Sequence, residues 1–308
     1  MAKARIGFVG VGLMGHGICK NLLGHGHEVR VLPHVRRDRI EDLLSRGAVE
    51  MDSLGALVAA SDIVMTCLPD VATVRSIFAG DAGLLAVGRP GLVLVDCSTS
   101  DPALTEQLGR QAASVGMTLV DAPLMRGPRE AWAGELNVIA GGEAAAVESL
   151  RPVFSCFAKQ IFHVGPLGHG HRVKVLNNVI SMCNLAVVAE AFTAAARLGV
   201  DRQMLLDVVS SGNANSRAVA ELGPRLIADD HGMSFSVNVG LKDIGLFRSM
   251  AGEAGSVTLL ADAARTVFWL TRQMGYGSEN ASRIGTALGS LAEGVQTGQT
   301  STEGSGRP

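Results

Sequence analysis

The sequence predicts an α/β domain built on a parallel sheet, followed by an all-α domain. Three observations carry this reading. Short runs rich in β-branched residues alternate with helical stretches up to Val164; beyond it the strand signals stop and a long Ala- and Leu-rich stretch begins near His169; and a glycine-rich turn closes the first strand. Strands separated by helices pair in parallel, because a parallel pair needs a crossover of about a dozen residues or more, and such a sheet is covered on both faces.

Strands are expected at residues 5–9, 28–32, 62–67, 92–97, 118–121, 137–140 and 161–164, and helices of the second half at 169–198, 202–210, 216–228, 241–254, 259–274 and 282–293. The chain thus divides into a sheet domain over 1–165, a helical domain over 166–295 that opens with a long connecting helix, and a Gly/Ser/Thr-rich tail over 296–308. The tail holds too little apolar surface to offset its ordering entropy and is expected to be disordered.

Composition removes several function classes. With 27 Lys plus Arg against 29 Asp plus Glu, the net charge is −2, so nothing draws the chain as a whole to nucleic acid or to an anionic membrane. At 308 residues and 47% hydrophobic it can bury full cores without disulfide or metal staples. Cys19, Cys67, Cys97, Cys156 and Cys183 are widely spaced, odd in number and without a C-x-x-C pair, which indicates neither a disulfide framework nor a zinc site. His25 with His27, and His169 with His171, lack a third ligand at suitable spacing and read as turn residues, so no metal is expected. The N-terminus runs straight into a glycine-interrupted strand and does not read as a signal peptide, so a cytoplasmic chain is expected. The most apolar later segment, 175–196, contains Asn177, Asn178, Asn184 and Glu190 and reads as a buried helix.

The first strand ends in Gly10-Val11-Gly12-Leu13-Met14-Gly15 and runs at once into a helix with Ile18, Leu22 and Leu23 on one face. In this strand–turn–helix setting G-x-G-x-x-G is a dinucleotide fingerprint of the Rossmann type. Gly10 permits the tight turn, Gly12 lets a pyrophosphate approach the backbone, and Gly15 allows close helix packing; Leu13 and Met14 complete the phosphate-facing turn at the helix N-terminus. A glycine-rich turn with no ligand is the plainer alternative. An acid at the end of the second strand would grip the ribose 2′-hydroxyl, yet the chain reads Val31-Leu32-Pro33-His34-Val35-Arg36-Arg37. His34, Arg36 and Arg37 suit a 2′-phosphate instead, so NADP(H) is expected in preference to NAD(H). Otherwise the two arginines only solvate the start of the next helix.

Four further segments matter together: Asp96-Cys97-Ser98-Thr99, Asp121-Ala122-Pro123, the run GPLGHGHRVKVLNN from Gly165 to Asn178, and Leu241-Lys242-Asp243. With the opening turn, Gly134-Glu135-Leu136-Asn137 and Gly141-Gly142, they resemble the β-hydroxyacid dehydrogenase family from Ile6 to about Glu293. The resemblance implies an NAD(P)-dependent oxidoreductase that interconverts a small β-hydroxyacid, or a related anionic alcohol, and its aldehyde or ketone. It implies Lys174 as general acid/base, Asn178 beside it, Ser98, Thr99, Arg126 and Gly127 at the substrate, and Cys67-Leu68-Pro69, Ser98 and Lys242 at the cofactor. Hydride transfer to a carbonyl develops negative charge on oxygen, and a cation able to donate a proton there favours the transition state. Asn178 stands four residues after Lys174, hence on the same helix face. Ser98 stands at the C-terminal end of a parallel strand, where ligands bind in open α/β sheets, although a serine there can also cap the next helix. Family members are usually homodimers or homotetramers, and the Ala-rich helical half suits helix contacts between copies.

Many members continue the D-A-P turn with V-S-G-G; this chain has Leu124-Met125-Arg126-Gly127-Pro128. The arginine-bearing loop and the G-x-G-x-R-V-K-x-x-N-N run are similar to those of the sulfolactaldehyde reductases, whose substrate bears a sulfonate. Arg126 is therefore the expected anion clamp. Such an arginine is expected to be buried and in need of a partner, and the nearby acids are Glu130 and Glu135. Two other readings share this architecture, imine reductases and non-catalytic oligomerisation modules, and both typically lose the lysine that Lys174 supplies here.

Overall fold

The computed structural model describes residues 3–33, 36–232 and 235–300, so His34 lies outside the described residues. Two compact units divide the chain, Met1–Val175 and Leu176–Pro308.

The first unit runs β1 (Arg5–Val9), α1 (Leu13–Gly24), β2 (Glu28–Val31), α2 (Arg37–Ser45), β3 (Val49–Glu50), α3 (Leu54–Ala59), β4 (Ile63–Thr66), α4 (Val71–Ala79), α5 (Leu84–Val87), β5 (Val93–Asp96), α6 (Pro102–Ser114) and β6 (Thr118–Asp121). β7 (Leu124–Met125), α7 (Pro128–Ala133), β8 (Leu136–Ala140), α8 (Ala144–Phe154) and β9 (Ala158–His163) follow, and then α9 (His169–Arg197) begins. Six strands form one sheet in the order β3-β2-β1-β4-β5-β6, with every pair parallel. Alternate residues feed two cores. Ile6, Phe8, Met65 and Val95 join the cluster that includes Ile18 and Leu22 of α1, while Val9, Val64 and Leu94 join the one that includes Leu57 and Leu108. That double burial is why these strands read as continuous apolar runs and not as alternating ones.

Two of the expected strands leave this sheet. β8 and β9 pair in parallel with each other, and β7 pairs antiparallel to β8, making a separate three-stranded sheet. The two-residue strands β3 and β7 carry too short a pattern to be read from sequence.

The second unit contains the rest of α9 with α10 (Arg202–Ser211), α11 (Arg217–Ala228), α12 (Val237–Glu253), α13 (Leu259–Thr271) and α14 (Arg283–Thr300). Asp201, Ser216 and Ser236 start α10, α11 and α12, each side chain accepting from a backbone N–H three residues on. The helix expected over 259–274 ends at Thr271 and passes into one wide turn, Arg272–Tyr276, where Gly275 takes φ 95°. α14 reaches Thr300, so the first residues assigned to a disordered tail continue a helix.

α9 differs from its reading as a buried helix. Val179, Met182, Ala189 and Phe192 enter the helical core, but Val173, Leu176, Ile180 and Val187 are exposed and, at helical spacing, form one apolar stripe. By length and composition alone this helix could also cross a membrane. The unit boundary falls inside it, ten residues past the expected limit at 165, because its first turns belong to the sheet unit.

Candidate active site

The crevice of an open α/β sheet lies at the C-terminal strand ends, where the strand order reverses. Here that point is between β1 and β4. Gly10 follows β1 with φ 101°, and a Cβ on it would stand 2.3 Å from the Cys67 carbonyl oxygen after β4, so neither its backbone nor its surroundings admit a side chain. A Cβ on Gly15 would stand 2.2 Å from the Gly10 carbonyl oxygen. Gly12 differs from both. Its φ of −78° suits any residue, and no described residue lies within 4 Å of where its Cβ would stand. The protein itself gives no reason for glycine there; a pyrophosphate lying against the backbone does. Leu13 beside it is 52% exposed at the first position of α1. The turn therefore fits a dinucleotide, whose phosphates the N-terminal amides of α1 would hold.

The neighbouring strand ends are knit to this turn. Asp96, buried at the end of β5, accepts from the Thr66 hydroxyl at 2.8 Å and from the Ser98 backbone N–H at 3.0 Å. Ser98 Oγ in turn accepts from the Leu68 N–H at 2.9 Å, so the Cys67-Leu68-Pro69 loop and the Asp96-Cys97-Ser98-Thr99 turn are one hydrogen-bonded shelf. Ser98 does not cap α6; Asp101 does, accepting from the Ala103 N–H. Ser98 is buried and Thr99 half-buried.

Asp121, at the end of β6, is wholly buried, and burial pushes its carboxyl above the usual aspartate range against the lowering pull of His171 and of backbone N–H groups. Its two oxygens accept from the Gly168 N–H at 2.8 Å and the His171 N–H at 2.7 Å. Gly168, just before α9, has no side chain to cap the helix, so Asp121 of the D-A-P turn caps it from a distant strand. A Cβ on Gly170 would meet the Ile139 carbonyl oxygen at 2.5 Å and Asp121 Oδ2 at 2.7 Å, which accounts for the second glycine of the G-H-G-H run. Lys174 follows on this helix, half-buried.

Asn178 belongs to the second unit. Its amide donates to Asp243 Oδ2 at 2.6 Å and its oxygen accepts from Asn177 at 3.1 Å, so the amide orientation is set. Asp243 is buried, with Oδ1 3.3 Å from Lys242 Nζ.

Arg126 departs from expectation. It is exposed, and Glu130 and Glu135 bond elsewhere, Glu130 to the Gly127 N–H and Glu135 to Lys159 at 2.6 Å. Its backbone takes φ 77°, the left-handed region that favours glycine. Arg36 and Arg37 are also exposed and ion-paired within the chain, to Asp38 at 3.1 Å and to Glu50 at 2.5 Å. His171, expected as a turn residue, is instead wholly buried in the first turn of α9, and Asp96, Asp121 and Asp243 carry no role in the sequence reading; a carboxylate at the buried end of a parallel strand is the signal that finds the first two, since it must be hydrogen-bonded there.

A glycine turn at the switch point of a parallel sheet, with a lysine-bearing helix capped from the same sheet, defines an NAD(P)-binding dehydrogenase. Residues 5–165 match the family model of the NAD binding domain of 6-phosphogluconate dehydrogenase, and residues 168–287 that of the NAD-binding domain of NADP-dependent 3-hydroxyisobutyrate dehydrogenase. The chain belongs to the β-hydroxyacid dehydrogenase family, and it is an NAD(P)-dependent β-hydroxyacid dehydrogenase. It is 33% identical to the 2-(hydroxymethyl)glutarate dehydrogenase of Eubacterium barkeri over 91% of this chain and 93% of that one. Among solved structures, the 3-hydroxyisobutyrate dehydrogenase of Mycobacterium tuberculosis with L-serine matches with a TM-score of 0.84 at 28% identity, over 93% of this chain and 99% of that one. Psf3 in complex with NADP+ and 2-OPP matches with a TM-score of 0.83 at 28% identity, over 92% and 99%.

Proposed function

We propose that this dehydrogenase works on a small β-hydroxyacid or anionic aldehyde with NADP(H) in preference to NAD(H), with Lys174 as its general acid/base and Arg126 binding the substrate's carboxylate or sulfonate. The nicotinamide supplies the hydride chemistry. Gly10, Gly12, Leu13, Met14 and Gly15 hold the pyrophosphate, and Cys67, Leu68, Pro69 and Ser98 line the shelf beside it. Lys174 gives a proton to the carbonyl oxygen during reduction and takes it back during oxidation. The Asn178 amide, oriented by Asp243, has a second N–H to offer the same oxygen. Lys242 would contact the cofactor, and Thr99 and Gly127 the substrate.

Gly12 is the observation that carries the cofactor reading. Gly12→Ala is expected to leave the melting temperature unchanged, because its Cβ enters open space, yet to weaken NADPH binding by about tenfold or more as that Cβ takes the pyrophosphate's place. Thermal unfolding and calorimetric titration on one preparation check both halves; unchanged affinity sinks the reading.

No acid stands at the ribose position after β2, and two guanidiniums stand just beyond. Asp38 is exposed and Glu50 only half-buried, so a 2′-phosphate can compete for both forks. Substituting Arg36 and Arg37 together by Ala is expected to raise KM for NADPH by about tenfold or more and to leave KM for NADH nearly unmoved. Equal effects in initial-rate measurements count against the preference.

The exposed stripe Val173, Leu176, Ile180 and Val187 supports assembly of two or more copies, because an apolar face along a single helix is what a second subunit covers. Sedimentation velocity is expected to show a dimer or tetramer; a monomer at micromolar concentration refutes this.

A further inference from the structure

We propose that His171 is a positioning residue of this enzyme, whose ring locks the Ser98 turn to the first turn of α9 and so fixes where Lys174 stands. The inference rests on the reading of Lys174 as the acid/base.

The ring is wholly buried between two carboxylates, Nε2 3.9 Å from Asp96 Oδ2 and Nδ1 3.8 Å from Asp121 Oδ2. Its hydrogen bonds go elsewhere. Nε2 lies 3.1 Å from the Ser98 carbonyl oxygen, which can only accept, so Nε2 carries a hydrogen. Nδ1 lies 2.8 Å from Thr105 Oγ1 on α6, and that hydroxyl is also 3.0 Å from the Asp101 carbonyl oxygen. With a single hydrogen, Thr105 donates to only one of them. Meanwhile the His171 backbone N–H is the one Asp121 accepts. One residue thus ties α9 to the turn after β5, to α6 and to the end of β6.

Filling a core would need only the ring's volume. Here both nitrogens are spent on different elements, away from solvent, and a hydrogen bond left unmade at such a site is costly. Lys174 stands about one helical turn later, so a helix N-terminus that slips against the Ser98 turn carries the lysine with it. Small displacements of a catalytic group are expensive in rate.

Three substitutions in the full-length protein separate the arms of this clamp. His171→Gln keeps an amide donor near the Nε2 position, His171→Asn keeps a polar group near Nδ1 only, and His171→Ala keeps neither. Hydrogen–deuterium exchange over residues 165–175 is expected to match wild type in the Gln variant and to quicken in the other two. With a hydroxyacid substrate, kcat is expected to stay within about threefold in the Gln variant and to fall by about 10- to 100-fold in the Asn and Ala variants, with KM for NADPH little changed. Wild-type exchange and kcat in the Asn variant overturn the proposal, as does equal loss in the Gln and Asn variants. Should wild-type protein turn over no hydroxyacid, the Lys174 reading fails, and the exchange measurement still decides whether His171 is the clamp.

Discussion

Replacing Lys174 by alanine is expected to lower kcat by about 10²–10⁴-fold while leaving the Kd for NADPH within about twofold. The two halves follow from different parts of the molecule. In the proposed reading, affinity for the dinucleotide comes from the turn after β1 and the N-terminal amides of α1, and Lys174 belongs to neither. In its proposed role Lys174 contributes a proton at the substrate oxygen, needed most when charge has built up there, so the loss falls on the transition state. Lys174→Arg is expected to be nearly as damaging: a guanidinium, protonated at every accessible pH, keeps the positive charge but exchanges no proton near neutrality. Steady-state kinetics with a parallel binding titration read both quantities. Near-normal kcat in either variant sinks the assignment, and a matching loss of cofactor affinity shows that the lysine holds the dinucleotide instead.

A residue's part in the fold is legible in the sequence where its reason lies in its own neighbourhood. The parallel sheet and the helical half were legible because apolar runs and helical periods are local signals, as was the Gly10-to-Gly15 turn, whose meaning comes from the strand before it and the helix after it. The roles proposed for the lysine and asparagine of α9 rest on family resemblance alone, since a lysine on an Ala-rich helix carries no signal of its own. What stayed hidden is non-local. Asp121 caps a helix that begins 48 residues later, His171 joins elements far apart in sequence, and Asp243 orients an amide on another helix. The pair His169 and His171 reads as turn residues because it lacks a third ligand at metal spacing; a histidine beside an apolar helix start reveals its role only when Asp96 and Asp121 are seen on either side of it. The burial expected of Arg126 was overturned for a similar reason, as a loop's depth depends on what lies above it, which the order of residues does not encode.

Arg126→Ala is expected to reduce kcat/KM for anionic substrates by about 10- to 150-fold, the worth of a charge-assisted pair of roughly 1.5–3 kcal/mol, and to leave short uncharged aldehydes nearly unaffected. The backbone makes the case for a function. A non-glycine residue in the left-handed region costs on the order of 1–2 kcal/mol, and Arg126 sits at φ 77° with no ion pair among the described residues to offset it. It also occupies a place where the V-S-G-G pattern of many relatives has glycine, so the chain retains a glycine's conformation while carrying a guanidinium. Strain of that size without a structural return points to a ligand. Arg126→Gly separates the two effects: the variant is expected to be as stable as wild type or more stable, having shed the strain, and yet to lose the same factor on anions as the alanine variant. Thermal unfolding set beside kinetics on a carboxylated, a sulfonated and an uncharged aldehyde tests this directly. If the glycine variant is less stable, or if all three substrates suffer equally, the arginine serves the loop, and the substrate's anion is held by Ser98 and backbone N–H groups.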